Sequence, residues 1–253
     1  MGRSVGAPEE HPGSEQCPLT GGERATPGGS LNIEQRYRWI YKPLVFAASL
    51  IPFAWLLCGA FGWFGTSLGA DPVKKLEHEC GKWALNFLLI TLAVTPVRQL
   101  AHLPHLPRLR RMLGLFAFCY AVLHFTVYLT LDLELNFGTL FADIAKRPYI
   151  TIGFLALLLL IPLAVTSTNK MMRRLGRRWQ KLHRLIYVIA VLGVWHFYWQ
   201  VKRDIREPLI YAGILAVLLG YRWIRAELKK PVPAAAVPAA TSKSGSATAP
   251  ERT

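Results

Sequence analysis

Six apolar stretches, each about 15 to 25 residues long and nearly free of charge, recur between Pro43 and Ile224 and constrain the chain more than any other feature. A helix needs about 20 residues to cross about 30 Å of hydrocarbon, because each residue adds about 1.5 Å. The stretches run at about Pro43–Gly65, Gly81–Val97, Met112–Leu131, Pro148–Ser167, Leu182–Gln200 and Pro208–Ile224. Pro52 predicts a kink in the first. The charge-free part of the second is only 15 residues, so Lys82 is expected to snorkel to the surface. Connections of no more than about 17 residues make sequence neighbours antiparallel neighbours in space. The expected fold is an all-α integral membrane protein, a six-helix transmembrane bundle over residues 35–227. No inverted repeat of the transporter kind is visible. Residues 1–34 are rich in Gly, Pro, Glu and Ser without an apolar signal-peptide core, and read as a disordered cytoplasmic leader. Residues 228–253 read as a flexible cytoplasmic tail.

Composition agrees with a membrane chain. Charged residues make up 18% of the sequence, below the roughly 25% usual for soluble domains. Too few residues lie outside the apolar stretches to build a separate catalytic or nucleotide-binding domain. The formal net charge of +15 would suit a nucleic-acid partner in a soluble protein. In a membrane protein, basic residues gather in loops held on the cytoplasmic side, so contact with lipid headgroups explains the charge and no nucleic acid is expected. With the amino terminus inside, 17 Lys and Arg residues flank the inner ends of the spans and 8 lie in the outer loops, which places both termini in the cytoplasm. The four cysteines, Cys17, Cys58, Cys80 and Cys119, form no metal or redox motif.

The intramembrane histidines carry the chemistry. An imidazole inside hydrocarbon is a functional candidate by default, although a lone one also serves to hydrogen-bond a neighbouring helix. His124 lies twelve residues into the third span, and His196 lies thirteen residues past His183 in the fifth. Both sit about 18–20 Å from the cytoplasmic edge, on helices that rise in the same direction. Two imidazoles at one depth can clamp a b-type haem by bis-histidine ligation. His183 has two readings, an interfacial residue among cations or a ligand of a second, inner haem. On an ideal helix it points about 140° away from His196, so the two would not share a face without a distortion, for which Gly193 is a candidate. The third span offers no second histidine at the inner level, so a partner for His183 would come from His102 or His105 or be absent. His78, just before the second span, competes as a ligand or as a surface residue. A proton-coupled or metal transporter using these histidines is the alternative from a different class.

Several short stretches together resemble the MsrQ (YedZ) family, the haem-binding membrane subunits of bacterial periplasmic methionine sulfoxide reductase systems. The wider group is the ferric-reductase-like transmembrane domain. The stretches are Asp71-Pro72 with His78, Thr95-Pro96, Arg110-Arg111-Met112-Leu113-Gly114-Leu115, Leu123-His124, Arg147-Pro148-Tyr149, Thr166-Ser167-Thr168, Arg178-Trp179-Gln180-Lys181-Leu182-His183, His196 and Pro208-Leu209-Ile210-Tyr211-Ala212. They cover about residues 35 to 225. The resemblance implies a b-type cytochrome of the bacterial inner membrane, with haem b and FMN as cofactors. It would take electrons from the quinone pool or a cytoplasmic flavin reductase and pass them to MsrP, a periplasmic molybdopterin reductase that repairs oxidised methionines. It also implies His124, His183 and His196 as haem-ligand positions. The second histidine that NADPH oxidases carry on the third span is missing here, as is their carboxy-terminal flavin and nicotinamide domain. The expectation is an electron-transfer subunit that does not itself take hydride from NADPH.

Overall fold

A computed structural model describes residues 2, 35, 37–63, 68–102, 106–201 and 204–228. All of the predicted leader except residue 2, nearly all of the predicted tail, and His105 and Cys17 lie outside the described residues. Among the described residues every regular element is helical. They are α1 (Lys42–Phe61, preceded by a π-helical turn at Tyr37–Tyr41), α2 (Pro72–Leu100), α3 (Pro107–Val127, continued by a π-helical turn at Tyr128–Asp132), α4 (Phe137–Lys146), α5 (Pro148–Val165), α6 (Asn169–Leu175), α7 (Arg177–Leu182), α8 (Leu185–Gln200) and α9 (Arg206–Glu227). Six helical segments are long and apolar enough to span a membrane: α1, α2, α3 with its π turn, α5, α7 joined to α8, and α9.

Local chemistry sets the helix starts. Proline occupies one of the first two positions of α1, α2, α3 and α5, where its missing N–H has no intrahelical partner to lose. Asp71 caps α2 by accepting from the Lys74 amide at 3.2 Å, Asn136 caps α4 through the Thr139 amide at 3.1 Å, and Thr168 caps α6 through the Met171 amide at 3.3 Å. The Asp71 cap explains why the second span begins at Pro72 rather than near Gly81. The charge-free run marks hydrocarbon, whereas the helix carries Lys74, Lys75, Glu77 and Glu79 on turns ahead of it.

α2 is the central column. It contributes nine buried residues, among them Leu92 and Cys80, against three from α1 and two from α9. Leu85, Phe87 and Leu88 of α2 pack with Phe116, Ala117 and Tyr120 of α3, and with Ile189, Ala190 and Val194 of α8. The outer faces of α1 and α9 leave Phe46, Ile51, Trp55, Ile210 and Val217 exposed, as lipid-facing side chains are. Polar side chains stitch the helices together. Tyr120 donates to the Ser49 carbonyl at 3.0 Å, Tyr211 to Asn86 Oδ1 at 2.8 Å, and Tyr221 to Gln99 Oε1 at 2.8 Å.

Two connections hold helices that apolarity alone does not announce. α4 lies at the end of the bundle where α2 and α5 begin, with Leu140 and Asp143 buried and Phe137 and Phe141 exposed. Tyr128 donates to Asp143 Oδ2 at 2.8 Å and ties α4 to α3. At the opposite, basic end, α6 and α7 fill the connection after α5, and Trp179 Nε1 donates to the Thr166 carbonyl at 3.0 Å. The fifth span is interrupted at His183 and Arg184, between α7 and α8, and α8 runs unbroken through Gly193. The distortion assigned from sequence to Gly193 therefore falls ten residues earlier. α1 carries Pro52 inside one helix.

Candidate functional site

His124 sits near the end of α3 and His196 near the end of α8, and both rings turn inward. The Nδ1 of His124 bonds the main-chain carbonyl of Glu77 at 2.8 Å, and the Nδ1 of His196 bonds that of Tyr149 at 2.7 Å. A carbonyl only accepts, so each Nδ1 carries the proton and each Nε2 keeps a free lone pair. That is the tautomer a metal-binding histidine needs, with its far nitrogen oriented by a hydrogen bond. The ring centroids stand 6.1 Å apart with planes inclined at 74°. Metal–imidazole bonds of about 2.0 Å, made from opposite sides of one ion, hold ring centroids about 6 Å apart. The spacing therefore fits two axial ligands of a single metal.

The rings face a cavity of about 550 Å³, within the range of cofactor pockets. Gly81, Ala84, Gly153, Ala156 and Gly193 on its wall leave room for a broad planar group. Leu140 of α4 closes part of the rim, and Lys74 and Arg147 bring positive charge to it. Arg147 also pairs with Asp143 at 3.3 Å. Among the described residues no three His, Cys, Asp or Glu side chains gather around a metal position. Two imidazoles supply only two ligands, so a metal held here takes its remaining coordination from a cofactor, as porphyrin nitrogens provide it.

The other histidines are placed differently. His78 lies inside α2, not ahead of it, lines the same cavity and packs on Phe197 at 5.6 Å between centroids. His183 is outside the cavity wall, at the break between α7 and α8. Its ring stacks on Trp179 at 4.0 Å, its Nδ1 bonds the Trp179 carbonyl at 3.2 Å, and its buried Nε2 has no hydrogen-bond partner. His102 is exposed in the turn after α2, with φ at 52°. The structure thus brings His124, His196 and His78 together and leaves His183 apart. Sequence reasoning missed Gly81, Gly153 and the carbonyls of Glu77 and Tyr149. A main-chain acceptor has no residue type to give it away.

These features define a multi-pass membrane protein, of which residues 80–194 match the family model described as ferric reductase like transmembrane component. The chain is 60% identical over 185 residues to the protein-methionine-sulfoxide reductase heme-binding subunit MsrQ of Xanthomonas euvesicatoria pv. vesicatoria, covering 72% of this chain and 84% of that one. It is 50% identical over 192 residues to the MsrQ of Brucella anthropi, covering 75% and 85%. The chain belongs to the MsrQ family. No solved structure matches it.

Proposed function

We propose that this protein is a b-type cytochrome subunit that carries electrons across the bacterial inner membrane to a periplasmic methionine sulfoxide reductase. The observation that carries the reading is the His124–His196 pair, with both Nδ1 atoms tied to carbonyls and the centroids 6.1 Å apart. The relatives' name as heme-binding subunits supports it. Bound haem supplies one-electron chemistry that no side chain here possesses.

The chain's own residues bind, orient and insulate. His124 and His196 would hold the iron, each through the Nε2 that its Nδ1 hydrogen bond leaves available. The carbonyls of Glu77 and Tyr149 fix the rotation of each ring and strengthen it as a ligand. Lys74 and Arg147 offer positive charge to the carboxylates of the cofactor, and Leu85, Leu88 and Phe125 keep the wall apolar. His78 contributes a further polar group to the wall. His183 is the candidate ligand of a second, inner haem, supported by a buried Nε2 without a partner. The excess of basic residues at the end bearing α6 and α7 supports placing that end, and both termini, in the cytoplasm. Electrons then enter from the quinone pool or a cytoplasmic flavin reductase near Trp179 and His183, and leave to MsrP from the end bearing His124 and His196. Family resemblance extends the cofactor set to FMN.

The test is a reduced-minus-oxidised spectrum of the purified chain, alone and with His124→Ala or His196→Ala. A b-type spectrum lost in both variants, which still insert, supports the proposal. A colourless, folded wild-type preparation, or unchanged haem content in the variants, refutes it.

A further inference from the structure

The site is built twice. Glu77 and Tyr149, Gly81 and Gly153, and His124 and His196 are each 72 positions apart. The same offset relates Ala84 to Ala156, Leu85 to Leu157, Leu88 to Leu160 and Phe125 to Phe197, and all of these line the one cavity. The packing repeats as well: α2 lies on α3 as α5 lies on α8, and α3 meets α5 as α8 meets α2. Mates run in the same direction along the chain, so the correspondence is direct.

The glycines explain how each half works. In an α-helix the Cα–Cβ bond leans toward the amino terminus, so the Cβ of one residue stands beside the carbonyl four positions earlier. Gly81 stands so beside the Glu77 carbonyl, and Gly153 beside that of Tyr149. A Cβ on Gly81 would lie 3.1 Å from His124 Nδ1, and one on Gly153 would lie 2.8 Å from both Nδ1 and Cε1 of His196. Other glycines lack this relation: at Gly193 the nearest atom is Leu85 Cδ1 at 3.4 Å, and at Gly213 nothing lies within 4 Å.

We infer that Gly81 and Gly153 are paired positioning residues of this site, each exposing a helical carbonyl to the imidazole of the neighbouring helix. The inference rests on the haem reading for what the imidazoles hold, though not for how they are held. Alanine at either glycine pushes the ring off its acceptor, which weakens the histidine as a ligand and tilts its plane.

The experiment compares Gly81→Ala and Gly153→Ala with wild type and Gly213→Ala in the full chain. Three quantities are read: the haem midpoint potential, the low-spin electron paramagnetic resonance g-values, and the ¹⁵N resonances of the histidine rings. Both alanine variants are expected to raise the potential, shift the g-values and lose the Nδ1–H form of one histidine. Gly213→Ala, where a Cβ meets nothing within 4 Å, is expected to match wild type. A variant too unstable to purify is read in native membranes by the same spectra. Wild-type values in either Gly81→Ala or Gly153→Ala, or equal shifts in Gly213→Ala, overturn the inference. A wild-type chain without a bis-histidine signal sinks the haem reading instead, and the ring ¹⁵N resonances then still decide whether the glycines set the tautomer.

Discussion

Arg222 on α9 donates to the main-chain carbonyl of Leu92 on α2 at 2.6 Å. The same guanidinium reaches Thr95 Oγ1 at 3.0 Å and the hydroxyl of Tyr187 on α8. One side chain therefore pins the most peripheral span to the central one and to the helix that carries His196. Arg222→Met keeps the apolar stem and removes all three bonds. It is expected to lower stability by about 1–3 kcal/mol, since hydrogen bonds from charged donors are stronger than neutral ones. A lower Tm in detergent, with an unchanged absorption spectrum per mole of folded protein, is the expected result.

The two classes of histidine separate by stoichiometry. His196→Ala should reduce haem at the His124–His196 site by at least about tenfold, because the iron would keep only one of the two imidazoles that would hold it. His183→Ala should leave that site's spectrum in place and remove only an inner haem. The haem-to-protein ratio of the two variants, measured beside wild type, checks both.

Tyr128→Phe removes the 2.8 Å hydrogen bond to Asp143 and leaves that carboxylate, which is buried, with Arg147 as its remaining ion-pair partner. The loss should be about 1–3 kcal/mol, concentrated in the contact between α3 and α4. Faster proteolysis and faster hydrogen exchange at residues 133–147, without loss of insertion, are the measurements.

The start of α2 should respond to acid. Lys74 beside Asp71 holds that carboxyl below the usual carboxylate range. A lowered value means the cap's contribution is present above the unfolded carboxylate range and is lost as pH falls through the lowered one. The protection factor of the Lys74 amide, which is its exchange corrected for the intrinsic pH dependence, should therefore fall on acidification, and Asp71→Ala should remove that change.

Membrane orientation is testable without any cofactor. A cysteine at Lys75 should react with an impermeant maleimide in intact spheroplasts. One at Arg174 should react only after lysis. The reverse pattern would invert the electron path proposed above.

Much of the fold is legible in the sequence because hydrocarbon leaves so few options. Six apolar runs become six spans, and the cores of the runs match the helices. The ends do not, for a physical reason: Pro72 to Cys80 is helical while carrying two lysines and two glutamates, and hydropathy reports the solvent and not the backbone. α4 escapes notice because only one of its faces is apolar. At the site, His124 and His196 stand out as polar side chains in an apolar run, at matched depth. What stays hidden is the backbone half of each hydrogen bond. The break at His183 is equally silent, since the sequence there, Leu182-His183-Arg184-Leu185, contains neither glycine nor proline.

The acceptors that orient His124 and His196 belong to the main chain, so substitution at positions 77 or 149 does not delete them. Selection acting on the iron seat would then press four residues downstream, on glycines whose only chemical contribution is the atom they lack. In this chain positions 77 and 149 accordingly differ in character, acidic in one and aromatic in the other, while positions 81 and 153 are both glycine.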